Sequence, residues 1–177
     1  MKKKFDPIKS HDDDERAKFW DDYSKNFVAI VNARSTKSYL KGEINLCENF
    51  LKSKSKTKYG KFLKLDLWNE AHHTEILKYI HHSYEEIYGI DLSPDVEKKA
   101  KINLEKNKIP VKTYVGDIRK MPFENNTFDF IYTMGTIEHL PDPKIAMREI
   151  SRVLKIGGTA VVGVPNKYEW FGKSIAL

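Results

Sequence analysis

The chain predicts a doubly wound α/β domain, a parallel sheet of at least five strands preceded by helices. Three observations carry that prediction. From residue 62 onward, short apolar runs of strand length alternate with stretches of helical periodicity. Ser93-Pro94 and Asp142-Pro143 each place a capping side chain before a proline, the usual start of a crossover helix. The spacing of these alternating strands and helices argues for a parallel, doubly wound sheet.

The elements follow in order. Asp12, Asp13, Asp14 and Glu15 put negative charge where a helix begins, and Phe19, Trp20, Tyr23 and Phe27 then form one aromatic face. Leu40, Ile44, Cys47 and Leu51 mark a second helix. The Lys/Ser run over 52–58, followed by Gly60, reads as a boundary, so residues 1–60 form a helical arm or cap and 61–177 the core. The first strand is expected over 62–67, with a helix over 74–81 carrying Ile76, Leu77 and Ile80. The second strand spans 86–91, and the helix after Ser93 runs to about Asn107 on Val96, Ala100 and Leu104. Strand three is 111–115. Strand four is 127–133, after the Asn125-Asn126 turn. The last helix buries Ala146, Ile150, Val153 and Leu154 and is ended by Gly157-Gly158, and strand five is 159–164.

Composition narrows the class. Of 177 residues, 40% are apolar, enough for a core, and no apolar run approaches the length of a membrane span. The basic N-terminus has no apolar segment behind it, so a soluble, cytoplasmic protein is expected. The single cysteine excludes a disulfide framework and a cysteine-based zinc site. The net charge of +6 sits mainly in the first 60 residues, and it comes from scattered lysines. Only 5 of the 31 basic residues are arginine, which argues against a nucleic-acid face.

In open α/β sheets a ligand lies beyond the carboxyl ends of the strands, where strand order reverses. The residues there are Asp66-Leu67-Trp68-Asn69-Glu70 after strand one, Asp91-Leu92 after strand two, Asp117-Ile118 after strand three and Thr133-Met134 at the end of strand four. Asp91 either holds the two hydroxyls of a ribose or caps the strand–helix corner. No Gly-x-Gly occurs anywhere, and the phosphate-loop motif is also absent. Pyrophosphate ligands are thereby disfavoured, and an adenosyl ligand without phosphates remains.

The pieces KFLKLDL, YGIDLSPDVEKKAK, VGDIRKMPFENNTFDFIYTMGTIEHLPDP and AMREISRVLKIGGTAVVGVPN, in this order over 62–166, resemble the class I S-adenosylmethionine-dependent methyltransferases of the type 11 kind. The resemblance implies a Rossmann-like fold and S-adenosylmethionine as cofactor. It places Asp66, with Leu67, Trp68, Asn69 and Glu70, near the methionine part, and Asp91 with Leu92 at the ribose. Asp117 is placed at the exocyclic amine of the adenine and Ile118 against its ring, with Thr133 and Met134 facing the sulfonium and acceptor. Tyr23 looks like the aromatic that closes over the cofactor, and Glu138 and His139 match an acidic–histidine pair at the pocket rim.

Two departures stand out. The family's first loop is rich in glycine, whereas residues 68–72 here have none. Asn69 can supply the left-handed backbone in its place. Glu70 can pair with the cofactor ammonium or repel its carboxylate, and Trp68 can wall the pocket or fill it. Relatives also continue with two further strands where this sequence ends in KYEWFGKSIAL. A further segment or a second copy is therefore expected over the edge of strand five.

The expected chemistry is methyl transfer to a small-molecule, lipid or sugar-derived acceptor, mostly by alignment. His139, with Glu138 beside it, is either the general base or a loop cap. Doublets His72-His73 and His81-His82 lack metal-ligand spacing, so no metal is expected. The competing readings are a methyltransferase-like module that binds without turnover and, more weakly, an RNA methyltransferase.

Overall fold

The structure, a computed structural model, describes residues 12–26, 41–42, 44–45, 59–72 and 75–164. Helix α1 is Asp13–Asn26, and Asp12 caps it by accepting from the backbone N–H groups of Asp14 and Glu15 at 2.9 and 3.0 Å. Of the expected second helix, residues 41–42 and 44–45 are helical. Its Leu40, Cys47 and Leu51, like Phe27 and residues 165–177, lie outside the described residues.

Strands β1 (Tyr59–Leu65), β2 (Tyr84–Asp91), β3 (Lys112–Val115), β4 (Phe128–Met134) and β5 (Leu154–Gly163) form one parallel sheet in the order β3-β2-β1-β4-β5. The chain winds outward from β1 through β2 to β3, then returns to lay β4 on the other side of β1. That reversal between β1 and β4 opens the crevice in which such folds bind ligands.

Helices α2 (Trp68–His72), α3 (Glu75–Ile80) and α4 (Pro94–Lys106) follow β1 and β2, and α5 (Pro143–Val153) follows β4. Alternation along β1 decides which face each residue joins. Phe62 packs with Ile76, Leu77, Val96, Ala100 and Leu104 under α2–α4. Leu63 and Leu65 point the other way, to Ile131, Ala146, Ile150 and Val153 under α5. The helix starts are as expected: the Ser93 hydroxyl accepts from Val96 N–H at 3.1 Å, and the Asp142 carboxylate accepts from Lys144 N–H at 3.0 Å. No helix among the described residues is long and apolar enough to cross a membrane.

Two stretches differ from expectation. Residues 68–72, expected as a loop, form the short helix α2. Its entry places Asp66, not Asn69, in the left-handed region, at φ 76°. At the other end α5 stops at Val153, and β5 begins at once with Leu154. Gly157-Gly158 lies inside β5, where the pairing with β4 shifts between Phe128↔Leu154 and Phe130↔Thr159. Gly157 sits at φ 79°, and a side chain on Gly158 would crowd the carbonyls of Lys155 and Asp129. The glycines thus serve a bulge in the strand and not a helix end.

Candidate functional site

A cavity of about 610 Å³ opens over the carboxyl ends of β1, β2 and β4 and beside the loop after β3. The strand order lays Asp117, Asp91 and Asp66 along its wall in a row, from β3 across β2 to β1. Neighbouring strands are about 4.8 Å apart, so the row spans roughly 10 Å.

Asp91 holds the middle of the row. One carboxylate oxygen accepts from the backbone N–H of Leu67 at 2.8 Å and the other from that of Ser93 at 2.9 Å. Each oxygen keeps a further lone pair for a ligand. Burial pushes the Asp91 carboxyl from its ordinary 3.8 up to about 7, against the lowering effect of those two N–H groups. Leu67 itself is fully buried, and its side chain fills the space that Gly89 leaves open.

Asp66 is fixed from three sides. Its carboxylate accepts from the Thr136 hydroxyl at 2.7 Å and from Lys64 Nζ at 3.1 Å, and its carbonyl accepts from the same ammonium at 2.9 Å. Lys64 is a buried cation in β1, and its third partner is the Glu70 carboxylate at 3.0 Å. Burial pulls the lysine down, but the charges of Asp66 and Glu70 outweigh it and hold Lys64 above its ordinary value. Burial raises Glu70, and Lys64 counters only part of that rise. The bend into α2 is therefore held by a buried ammonium where glycine would otherwise relieve the backbone.

Asp117 is enclosed by arginines. Arg119 donates from its backbone N–H at 2.7 Å, from Nε at 3.0–3.1 Å and from a terminal nitrogen at 2.6 Å. Burial would raise this carboxyl, but the Arg119 bonds win and hold it below its ordinary value. Arg119 also pairs with Asp13 of α1, and Arg16 of α1 stands 3.8 Å from Asp117. Helix α1 is further docked by Asp21, which accepts from the Ser93 hydroxyl and, at 3.2 Å, from Asp95 N–H. Lys99 donates to the carbonyl and the hydroxyl of Ser24 at 3.3 and 3.1 Å.

So docked, α1 roofs the cavity with aromatic rings. Tyr23 stacks on Trp68 at 5.4 Å between centroids, and Trp20 meets Trp68 at 6.1 Å and His139 at 5.2 Å, both edge-on. Trp68 therefore walls the cavity without filling it. On the far side Met134 ends β4, packed so closely over Gly163 that a side chain there would collide with its sulfur. Gly135, at φ 75°, turns the chain into the short 3₁₀ segment Ile137–His139. His139 lies half-exposed at the rim, with its Nε2 3.9 Å from a Glu138 oxygen.

Ten of the residues singled out from the sequence therefore line one cavity: Tyr23, Asp66, Trp68, Asn69, Asp91, Leu92, Asp117, Ile118, Met134 and His139. Leu67, Glu70, Thr133 and Glu138 stand off its lining, Glu70 because it pairs with Lys64 and Thr133 because its side chain is fully buried. The lining also includes Arg16, Phe19, Trp20 and Thr136, which were not singled out as site residues. Arg16 shares the helical spacing of Trp20 and Tyr23, so its side of α1 was readable. Thr136 carries no such signal. Among the described residues no cluster of His, Cys, Asp and Glu could hold a metal ion; His72 and His81 turn their Nδ1 atoms to carbonyls one turn back.

A family model described as a methyltransferase domain matches residues 71–162, just over half of the chain. Among curated proteins, the chain is similar to the chloroplastic 2-methyl-6-phytyl-1,4-hydroquinone methyltransferase 1 of Oryza sativa subsp. japonica. The two are 33% identical over 97 residues, covering 54% of this chain and 29% of that protein. It is also similar to the sterol 24-C-methyltransferase erg6 of Schizosaccharomyces pombe, 47% identical over 70 residues, or 40% of this chain and 16% of that one. The chain thus spans less than a third of the length of these relatives. Among solved structures, the PH0226 protein from Pyrococcus horikoshii OT3 superposes with a TM-score of 0.63 at 27% identity, over 80% of this chain and 60% of that one.

Proposed function

The chain belongs to the methyltransferase-domain family, and from that premise we propose that it transfers a methyl group from S-adenosylmethionine to a small-molecule acceptor, lipid or sugar-derived. The observation that carries the proposal is the row Asp117–Asp91–Asp66 along one cavity wall, under an aromatic roof. A row of roughly 10 Å with three acidic anchors suits a base, a ribose and an amino-acid tail in succession. The cavity volume suits an adenosyl ligand with an acceptor beside it.

When bound, S-adenosylmethionine supplies a methyl group already activated on a sulfonium. The chain's own part is then to bind, align and exclude water. In this reading Asp91 accepts from the ribose hydroxyls, Asp117 and Ile118 hold the adenine, and Asp66 with Asn69 faces the amino-acid tail. Trp20, Tyr23 and Trp68 keep water from the reacting centre, and Met134 packs beside it. His139 holds the proton that an acceptor hydroxyl or amine must lose, with Glu138 orienting it. The relatives named for a hydroquinone and a sterol support a small, ring-bearing acceptor more than a nucleic acid.

Calorimetric titration of the purified protein with S-adenosylhomocysteine tests the proposal. A dissociation constant on the order of micromolar is expected. A folded protein that gives no heat would overturn the enzyme reading in favour of a module that binds without turnover.

A further inference from the structure

On the reading that the cavity holds S-adenosylmethionine, we infer that Ser93 and Arg119 are positioning residues that couple cofactor binding to the docking of α1. Neither lines the cavity. Each joins one cavity aspartate to one acidic residue of the roofing helix, so occupancy of the site and closure of its roof set one another.

The two connections run side by side. The backbone N–H of Ser93 donates to Asp91 at 2.9 Å, while its hydroxyl donates to Asp21 of α1. Arg119 donates to Asp117 from its backbone N–H at 2.7 Å and from its side chain at 2.6–3.1 Å. The same guanidinium pairs with Asp13 of α1. Asp91 and Asp117 stand on the cavity wall, whereas Asp13 and Asp21 do not line it. The Ser93 hydroxyl also accepts from Val96 N–H, so the residue that starts α4 fixes where Asp21 can sit.

Helix α1 is otherwise lightly held, with longer polar contacts from Arg16 to Asp117 at 3.8 Å and from Lys99 to Ser24 at 3.1 and 3.3 Å. Among the described residues, none from α1 belongs to either core cluster, and only Arg16 and Ser24 of the helix are buried. Its Phe19, Trp20 and Tyr23 line the cavity instead, with Tyr23 48% exposed. An element with so few buried apolar contacts undocks at lower free energy than the core opens. A ligand beneath the rings meets them only while α1 is docked, so it binds the docked state more tightly and shifts the population towards it. By reciprocity, a change that undocks α1 lowers the apparent affinity in proportion to the docked fraction, without touching the ligand.

The test combines calorimetric binding of S-adenosylhomocysteine with hydrogen–deuterium exchange of the α1 amides. It compares the wild type with Asp13→Ala, Asp21→Ala, the double variant and Asp21→Asn, all of which leave the bonds from Ser93 to Asp91 and from Arg119 to Asp117 in place. Saturating S-adenosylhomocysteine is expected to slow α1 exchange at least about tenfold in the wild type. Affinity is expected to fall about two- to fivefold in each alanine variant and at least about tenfold in the double variant, with faster α1 exchange in each. Asp21→Asn retains an oxygen to accept from the Ser93 hydroxyl, and its affinity is expected to stay within about twofold of wild type. Wild-type affinity in the double variant, or a loss of affinity with α1 exchange unchanged, overturns the inference while the cofactor reading stands. A wild type that binds no S-adenosylhomocysteine overturns both.

Discussion

Asp91→Ala is expected to remove measurable binding of S-adenosylhomocysteine, a loss of at least about 100-fold, read by calorimetry. The magnitude follows from what the carboxylate does at one point. It fixes the Leu67 and Ser93 backbone at 2.8 and 2.9 Å, so its position is set by both flanking turns before any ligand arrives. It also stands midway along the acidic row, where both ends of the proposed ligand depend on it. Asp91→Asn, which keeps one acceptor oxygen, is expected to lose less. The raised Asp91 carboxyl adds a pH dependence with a definite sign. Between the ordinary 3.8 and about 7 the folded protein holds a proton that the unfolded chain has lost. Asp91 therefore contributes stability that is fully present below 3.8 and is lost as pH rises towards 7. Ligand hydroxyls prefer the ionised form, so binding moves the other way and is expected to tighten from pH 6 to pH 8. Asp91→Asn should flatten both slopes; a wild-type affinity independent of pH over that range would refute this account.

Lys64→Met, near the end of β1, is expected to destabilise the protein by about 3–5 kcal/mol in urea unfolding. Removing the ammonium leaves Glu70 buried with its charge uncompensated, and it withdraws two of the bonds that hold Asp66 at φ 76°. The cost comes mainly from the stranded carboxylate. The double variant Lys64→Met/Glu70→Met should therefore recover most of the stability, because two apolar side chains of similar length fill the same volume. Its recovery need not extend to ligand binding, since Asp66 remains unclamped. Equal stability of the single variant and the wild type would show that the ion pair does not hold this bend.

Much of this was legible in the chain. Residues at strand ends are predictable because a strand's apolar run stops where the site begins, and Asp66, Asp91 and Asp117 all stand at such points. The helix starts at Ser93 and Asp142 follow from local capping chemistry that distant contacts do not override. What escaped depends on contacts that the fold makes and that no local pattern announces. Lys64 reads as a polar residue on a strand, and only the fold brings Glu70 beneath it. Helix α2 was expected as a loop because a glycine-rich turn is usual there, and the lysine clamp that replaces it has no local pattern. Gly157-Gly158 matched a helix terminator by residue type, but Val153 ends α5 earlier and the pair serves a bulge against β4.

The aromatic roof has an optical consequence. The chain has three tryptophans, and two of them, Trp20 and Trp68, meet over the cavity at 6.1 Å with their rings inclined by 70°. Indoles that close couple electronically, and their emission responds to any group that enters beneath them or displaces water around them. The protein thus contains its own fluorophore pair at the mouth of the site. Docking of α1 and arrival of a ligand can be followed by ultraviolet spectroscopy on unlabelled material, before any methyl acceptor is known.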